Sequence, residues 1–512
     1  MSASREKRLR RELREAEASS DTVKKVKKQK KPMTAAKAKK IRGMIGTVAA
    51  ILVVVVFALL IFVNSGVLQK NTSAATVGSH TLTPVEFNYF YQDTYYNVKS
   101  NMSSYWSYMV DTEKPVENQD CFMSEDGGTW KDYITQSALD SATQIYTLYD
   151  AALEAGYALT EDAQTSIDSV PESIESYAKS GGFKSADDYL EDYYGKGASV
   201  ESYVDYLTVQ QYASGYAAEK SDSFTYTDEE LRTYYSDNKQ DFDKVTYRVF
   251  NVATEDDDSA AAKETADSMQ AELDSTEKSF SDAAYKYAPE DSKESYEDAD
   301  YTLRRGSGYS SLSSDYADWL FDESRTAGES QVFATSSGYA VVMFVSRDDN
   351  QYNTVNVRHI LVQVGTSGED GASTDADWAD CKEKIDEIQA QWEESDMTEE
   401  TFASMAEEQS EDTGSASNGG LYEGVYKGQM VAEFEDWCFD ESRQTGDWGV
   451  VKTDYGYHLM YYVGTGDEYW KTLADNGKRN DDYNAWYEER SASYAGKTKF
   501  FGQLFTNKAL AA

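Results

Sequence analysis

The chain has 512 residues, 40% hydrophobic and 13% aromatic, with a formal charge of −42 at pH 7; that length exceeds one core and calls for three or more domains. Residues 1–43 hold 16 Lys/Arg against 5 Asp/Glu, whereas the remainder holds 33 against 86, so the body has little with which to neutralise phosphates and nucleic acid is excluded as a partner. Cys121, Cys381 and Cys438 are scattered and odd in number, which excludes a disulfide framework and a CxxC zinc or redox site.

The basic segment 1–43 carries Lys24-Lys25, Lys27-Lys28 and Lys30-Lys31 and leads into an uncharged apolar stretch at 44–63. At about 1.5 Å per residue that stretch makes a helix about 30 Å long, the thickness of a bilayer core. The positive-inside rule puts the basic segment in the cytoplasm and the bulk of the chain outside. The apolar run is longer than that of a cleaved signal peptide, no convincing small-x-small cleavage site follows it, and no cysteine near its end offers a lipid acceptor. An uncleaved single-pass transmembrane helix is expected, followed by a polar tether at 64–75.

Residues 76–243 read as a mostly helical domain. Residues 77–83 suggest a strand and turn, and Pro84-Val85-Glu86-Phe87 opens a helix with proline in its first turn. Phe87, Phe90, Tyr91 and Tyr95 then recur at helical spacing, and similar patterns follow at 134–155, 186–194 and 200–218. Gly181-Gly182 and Gly195-Lys196-Gly197 punctuate them. His80 falls in the opening turn and reads as a capping or solvated residue. Thr227, with Glu230 three residues later, starts another helix that continues past Tyr234-Tyr235 and Phe242 towards Val245.

An internal repeat follows. Asp318-Trp319-Leu320-Phe321-Asp322-Glu323-Ser324-Arg325 recurs as Asp436-Trp437-Cys438-Phe439-Asp440-Glu441-Ser442-Arg443, an offset of 118. Gly338-Tyr339-Ala340 matches Gly456-Tyr457-His458 at the same offset, and Val245-Thr246-Tyr247-Arg248-Val249 matches Val355-Asn356-Val357-Arg358-His359. Two tandem units therefore stand at 244–348 and 352–465, and 466–512 reads as a C-terminal helical segment. The second unit holds two of the three histidines, His359 and His458, each in a β-prone run; Val249 and Ala340 take their places in the first. No GxSxG, HExxH or GxGxxG occurs, so nucleophilic hydrolysis, zinc proteolysis and dinucleotide binding have no support.

The order Arg358-His359-Ile360-Leu361-Val362, Ser410-Glu411-Asp412, Asn418-Gly419-Gly420-Leu421, Gly428-Gln429-Met430, Phe434-Glu435-Asp436 and Gly456-Tyr457-His458 resembles the parvulin-type peptidyl-prolyl isomerases. The wider layout resembles the PrsA and SurA group of extracytoplasmic foldases, in which a helical chaperone-like region accompanies parvulin units. The resemblance implies an α+β fold for each unit, a small antiparallel sheet wrapped by helices, with the first unit degenerate. It implies a catalytic set of His359, Asp412, His458 and Thr453, and a substrate-binding set of Met430, Phe434, Gln429 and Tyr455. Tyr455 stands where some relatives carry serine. No cofactor and no metal are called for. The implied partners are unfolded or secreted client polypeptides with X–Pro bonds, and the membrane through 44–63.

The residue types suit that chemistry. An X–Pro bond isomerises over a barrier of about 18–20 kcal/mol, and twisting the amide abolishes its resonance and charge separation. An apolar pocket around the prolyl ring disfavours the polar planar state relative to the twisted one. Two histidines that hydrogen-bond each other fix their tautomers and hold Asp412, which is preorganisation rather than proton transfer. The rival reading is a non-catalytic holdase that uses the parvulin units as scaffold and binds clients through the tyrosine-rich helical domain.

Overall fold

The computed structural model describes residues 65–506 apart from 103–104, 112, 125–126, 255–257 and 369–370, together with 53–57 and 62. The basic segment and most of the expected transmembrane stretch lie outside the described residues. Among the described residues no helix is long and apolar enough to cross a membrane. The chain divides into two compact units, one ending at Glu219 and resuming at Glu488, the other Lys220–Tyr487. That division falls ahead of the expected 243/244 boundary, so the helix begun at Thr227 shares a unit with both repeats.

In the first unit, β1 (Ala75–Val77) pairs antiparallel with β2 (His80–Leu82) and with a short C-terminal strand, Lys497–Thr498. The segment 466–512, expected to be helical, thus ends partly as strand. Helix α1 (Pro84–Asn101) starts where expected, with Thr83 and Glu86 exchanging cap hydrogen bonds. Its Phe87, Phe90, Tyr91 and Tyr95 are buried with Trp130, Ile134 and Ala138 of α2 (Trp130–Ala155). The rest of the helical unit is α3 (Glu161–Ser180), α4 (Ala186–Tyr194) and α5 (Val200–Asp222). Tyr206 and Tyr194 bring polar tips into this aromatic core by donating to Asp93 at 2.7 and 3.2 Å. His80 is structural, with Nε2 2.8 Å from Asp150 Oδ1 on α2.

The second unit opens with α6 (Asp228–Asp237), capped by Thr227 and Glu230 as expected. The helix does not run on to Val245. It breaks at Asn238, whose side chain donates to Tyr234 O, and a single turn Lys239–Phe242 follows. Next comes β3 (Lys244–Ala253), α7 (Ser259–Ala271), α8 (Glu277–Tyr287), β4 (Leu303–Gly308), α9 (Ala317–Phe321), β5 (Ser330–Thr335) and β6 (Gly338–Asp348). The second repeat has the same succession: β7 (Asn353–Gln363), α10 (Asp375–Glu394), α11 (Glu399–Gln409), β8 (Leu421–Val425), α12 (Ala432–Cys438), β9 (Trp448–Thr453) and β10 (Gly456–Glu468). Each forms a four-stranded antiparallel sheet, ordered β4-β3-β6-β5 and β8-β7-β10-β9.

Strand alternation sorts the side chains. Ile360 and Val362 of β7 face Ile385, Trp392 and Phe402 from α10 and α11, while Val355 and Val357 face Phe434 and Trp437 of α12. His359 shares the parity of Val357 and therefore the α12 face. The sheet registers bear out the alignment of the repeats: Val249 pairs with Val342 where His359 pairs with Met460, and Asn251 pairs with Ala340 where Leu361 pairs with His458. Between the sheets, Asn350 donates to Tyr235 Oη at 2.8 Å and Phe242 O at 3.0 Å, and accepts from Trp470 N at 3.0 Å. Trp470 belongs to α13 (Tyr469–Ser491), which packs on Leu231 and Tyr235 of α6.

Candidate active site

β7 and β10 are the central pair of the second sheet, and His359 and His458 are diagonal neighbours across them on one face. Both are buried. Their Nδ1 atoms lie 3.0 Å apart, and the rings stack at 5.3 Å with 19° between planes. His359 Nε2 lies 2.8 Å from Asp412 Oδ2, and His458 Nε2 lies 2.9 Å from Thr453 Oγ1.

Asp412 is held by a loop that is itself tied to β7. Glu411 N donates to Leu361 O at 2.8 Å, Leu361 N to Ser410 Oγ at 3.1 Å, and His359 N to Gly420 O at 2.9 Å. The last contact requires glycine: Gly420 has φ 70°, and a Cβ there would stand 2.2 Å from His359 O. Arg358 fixes the far side of the loop, donating to the carbonyls of Asn418 and Gly419 and, through Nε, to Glu399 at 3.0 Å. Besides His359, the Asp412 carboxylate accepts from Ser415 Oγ at 2.5 Å, Tyr422 Oη at 3.0 Å and Gly414 N at 3.1 Å.

These contacts assign the protons. A carboxylate only accepts, so Nε2–H of His359 faces Asp412, leaving its Nδ1 as acceptor. His458 then donates from Nδ1 and accepts at Nε2 from the Thr453 hydroxyl, which in turn accepts Tyr455 N–H at 3.2 Å. Burial lowers the pKa of His359, and burial with the neighbouring His359 brings that of His458 down to about 4. Burial works to raise Asp412, but hydrogen bonds from Ser415, His359 and Gly414 outweigh it and hold the carboxyl at about 2. At neutral pH the site is one carboxylate and two neutral imidazoles.

Phe434 of α12 closes the apolar side, edge-on to both imidazoles at 5.5 Å. Met430 is half-buried in the same apolar cluster, in the turn before α12. The structure thus brings together His359, His458, Asp412, Thr453 and Phe434, with Met430 beside Phe434. Gln429 is exposed and accepts from Tyr426 N at 3.0 Å, capping its own turn. The Tyr455 side chain is 65% exposed, and only its backbone N–H joins the network. Sequence reasoning missed Ser415 and Tyr422, and placed Arg358 in the motif without a role. Ser415, three residues after Asp412 in a loop of small polar residues, was the findable one.

This constellation, built on a doubled β–α–α–β–α–β–β succession, points to one domain type. Residues 339–463 and 226–352 both match the PPIC-type PPIASE domain. Both repeats are therefore PPIC-type PPIASE domains by family match. Among curated proteins, foldase protein PrsA 3 of Bacillus cereus is 45% identical over 62 residues, covering 12% of this chain and 21% of the relative. Foldase protein PrsA of a Geobacillus species is 47% identical over 62 residues, covering 12% and 22%. The chain thus spans about a fifth of the length of the curated relatives it matches. Among solved structures, PrsA from Bacillus subtilis is similar at 17% identity and a TM-score of 0.24, covering 73% of this chain and 91% of that one. PrsA from Bacillus anthracis gives 16% identity and a TM-score of 0.19, covering 54% and 91%.

In the first PPIC-type domain the equivalent face is filled. Val249 and Ala340 are buried with Leu320, Val342 and Phe344, and Leu312, Tyr316 and Phe333 pack against them. Glu290 falls where Asp412 stands relative to the preceding helix, yet its side chain is 87% exposed and pairs with Lys293.

Proposed function

We propose that the chain is a membrane-anchored, extracytoplasmic foldase in which residues 352–465 catalyse cis/trans isomerisation of X–Pro bonds in unfolded or secreted client polypeptides, with chaperone activity from the helical region. The observation that carries the reading is the continuous hydrogen-bond chain from Thr453 through His458 and His359 to Asp412, walled by Phe434. His359, Asp412, His458 and Thr453 form the catalytic set, and Met430 and Phe434 the prolyl pocket, with Gln429 and Tyr455 at its exposed rim.

The chemistry follows from the network's polarity. A prolyl ring against Met430 and Phe434 is stripped of water, which raises the polar planar amide in energy relative to the twisted form. The ionised Asp412 is fixed beside this pocket by four donors, so its field acts without reorganisation. The neutral histidines set its position and do not exchange protons with the peptide. Anchoring rests on the charge pattern of 1–43 and the apolar run at 44–63.

A protease-coupled assay of X–Pro isomerisation on the full chain tests the reading. Activity is expected in the parent and absent in His458→Ala; a folded parent without activity refutes it, and favours the holdase alternative. Protease applied to intact cells is expected to spare a basic stub and remove the rest; a chain found wholly in the medium refutes the anchor.

A further inference from the structure

The two PPIC-type domains differ at one strand edge. α8 and α11 are each 11 residues long, and their first residues, Glu277 and Glu399, bind Arg248 and Arg358 through Nε at 2.9 and 3.0 Å. Counting from that shared point, Ala288 stands where Ser410 does and Pro289 where Glu411 does. In the second domain this short segment lies along β7. Leu361 N donates to Ser410 Oγ, and Leu361 O accepts from Glu411 N. In the first domain alanine has no hydroxyl to accept and proline has no N–H to donate.

Asn251 holds the register of Leu361, so its N–H and C=O point outward from β3 in the same way. β4 cannot serve them, because its pairing with β3 stops at Arg248, and the last contact is Val249 N to Thr302 O at 2.9 Å. Among the described residues no other segment bonds to the backbone of Asn251 on this side, and Asn251 and Ala253 are exposed. Beside this edge opens a cleft of about 360 Å³, walled by Phe250, Ala262, Thr265, Tyr287 and Pro289. An unpaired edge is a template for another strand, and folded proteins ordinarily cover or charge it.

We infer that the outward edge of β3 at Asn251–Ala253, with the cleft beside it, binds an extended polypeptide segment by strand addition. The second domain shows that this edge takes a polypeptide backbone, since Glu411 N donates to Leu361 O at the equivalent position. The occupant exchanges backbone hydrogen bonds with Asn251 and seats alternate apolar side chains against Phe250, Tyr287 and Ala262. Such recognition reads backbone rather than sequence, which suits an unfolded client. The inference takes its partner from the foldase reading but not its site, which lies in the domain lacking both histidines.

The test uses the full chain and a fluorescein-labelled decapeptide of alternating valine and lysine, followed by anisotropy. Asn251→Pro removes the outward donor at a position where proline is tolerated, and Thr265→Trp fills the cleft. Each is expected to weaken binding about tenfold, the worth of one or two hydrogen bonds or a lost pocket. The same peptide N-methylated at every second residue, one version for each edge, is expected to bind as weakly in the version blocking the docked edge. Turnover of an X–Pro tetrapeptide is expected to be unchanged in both variants. Unchanged peptide binding by a folded variant, or equal binding of both methylated peptides, overturns the inference. An anisotropy rise that arises from self-association of the chain, seen as a concentration-dependent mass, overturns it too. Loss of tetrapeptide turnover in the parent, with edge binding intact, sinks the isomerase reading alone.

Discussion

His458 Nδ1 and His359 Nδ1 stand 3.0 Å apart between adjacent central strands, and one of the two must donate. The carboxylate of Asp412 decides which, because it claims the Nε2–H of His359. The orientation of every proton out to Thr453 therefore depends on one negative charge.

Asp412→Ala removes that charge and takes the carboxylate acceptor from His359, Ser415 and Tyr422, leaving His359 Nε2 only the Ser415 hydroxyl at 3.2 Å. Each buried donor left unsatisfied costs about 1–3 kcal/mol. Nitrogen-15 spectra of the imidazoles are expected to show loss of the single His359 tautomer, with kcat/KM down by about 10²-fold on the scale of a lost preorganised electrostatic group. A variant that keeps the parent tautomers would separate Asp412 from the histidine pair.

The depressed histidine pKa values fix a pH dependence. His458 titrates at about 4 when folded against 6.5 ordinarily, so the unfolded chain binds the proton more readily. The stability from this group is full above about 6.5 and is lost as pH falls towards 4. His359, also lowered, acts in the same sense. Thermal unfolding of the second unit is expected to fall across that window and to stay level from pH 7 to 9. In His458→Gln the drop is expected to shrink.

Phe434→Ala opens a cavity under both imidazoles and is expected to destabilise by about 3–5 kcal/mol. Met430→Ala, half-buried, belongs at or below the low end of the 2–5 kcal/mol range. Both are expected to lose prolyl-peptide turnover. Urea denaturation separates the two effects: a Met430→Ala protein that is folded and fully active would remove Met430 from the pocket.

His458→Ala in the full chain is expected to abolish isomerisation, because the first domain has no second site to fall back on. Val249→Ala, at the position equivalent to His359, is expected to leave turnover unchanged and to cost stability only. Residual activity above about a tenth of the parent in His458→Ala, measured by the protease-coupled assay, would locate catalysis elsewhere.

Arg358→Met frees the carbonyls of Asn418 and Gly419. Hydrogen bonds to a charged group are worth about 1.5–3 kcal/mol, so a loss of that order is expected in urea, with a smaller loss of turnover as the Asp412 loop relaxes. Arg248→Met is expected to cost a similar stability through Glu277, Ala299 and Thr302 with no effect on turnover.

The histidine pair was legible because strand registers preserve sequence offsets: Val249 and Ala340 line up with His359 and His458 in both descriptions. Asp412 was reached only through the family resemblance, and its other donors were not reached, since Ser415 and Tyr422 come together through loop geometry rather than through any period. Helix α3 went unread for a different reason. It carries Pro171 inside and buries only Ile167, Ile174 and Ala178, so its apolar stripe is thin and a breaker interrupts it. The strand Lys497–Thr498 has two residues, both exposed, and no pattern can announce so short an element. Its existence is dictated by β1.

That strand also sets an order of events during synthesis. Gln503 bonds to Ala74 O across 429 positions of the chain, and the first sheet lacks its outer strand until residues 497–498 have emerged. Both PPIC-type domains lie between these ends and close on local contacts within themselves. They can therefore fold while the unit that encloses them in sequence is still open, and that unit closes only once residues 497–503 have joined residues 74–76.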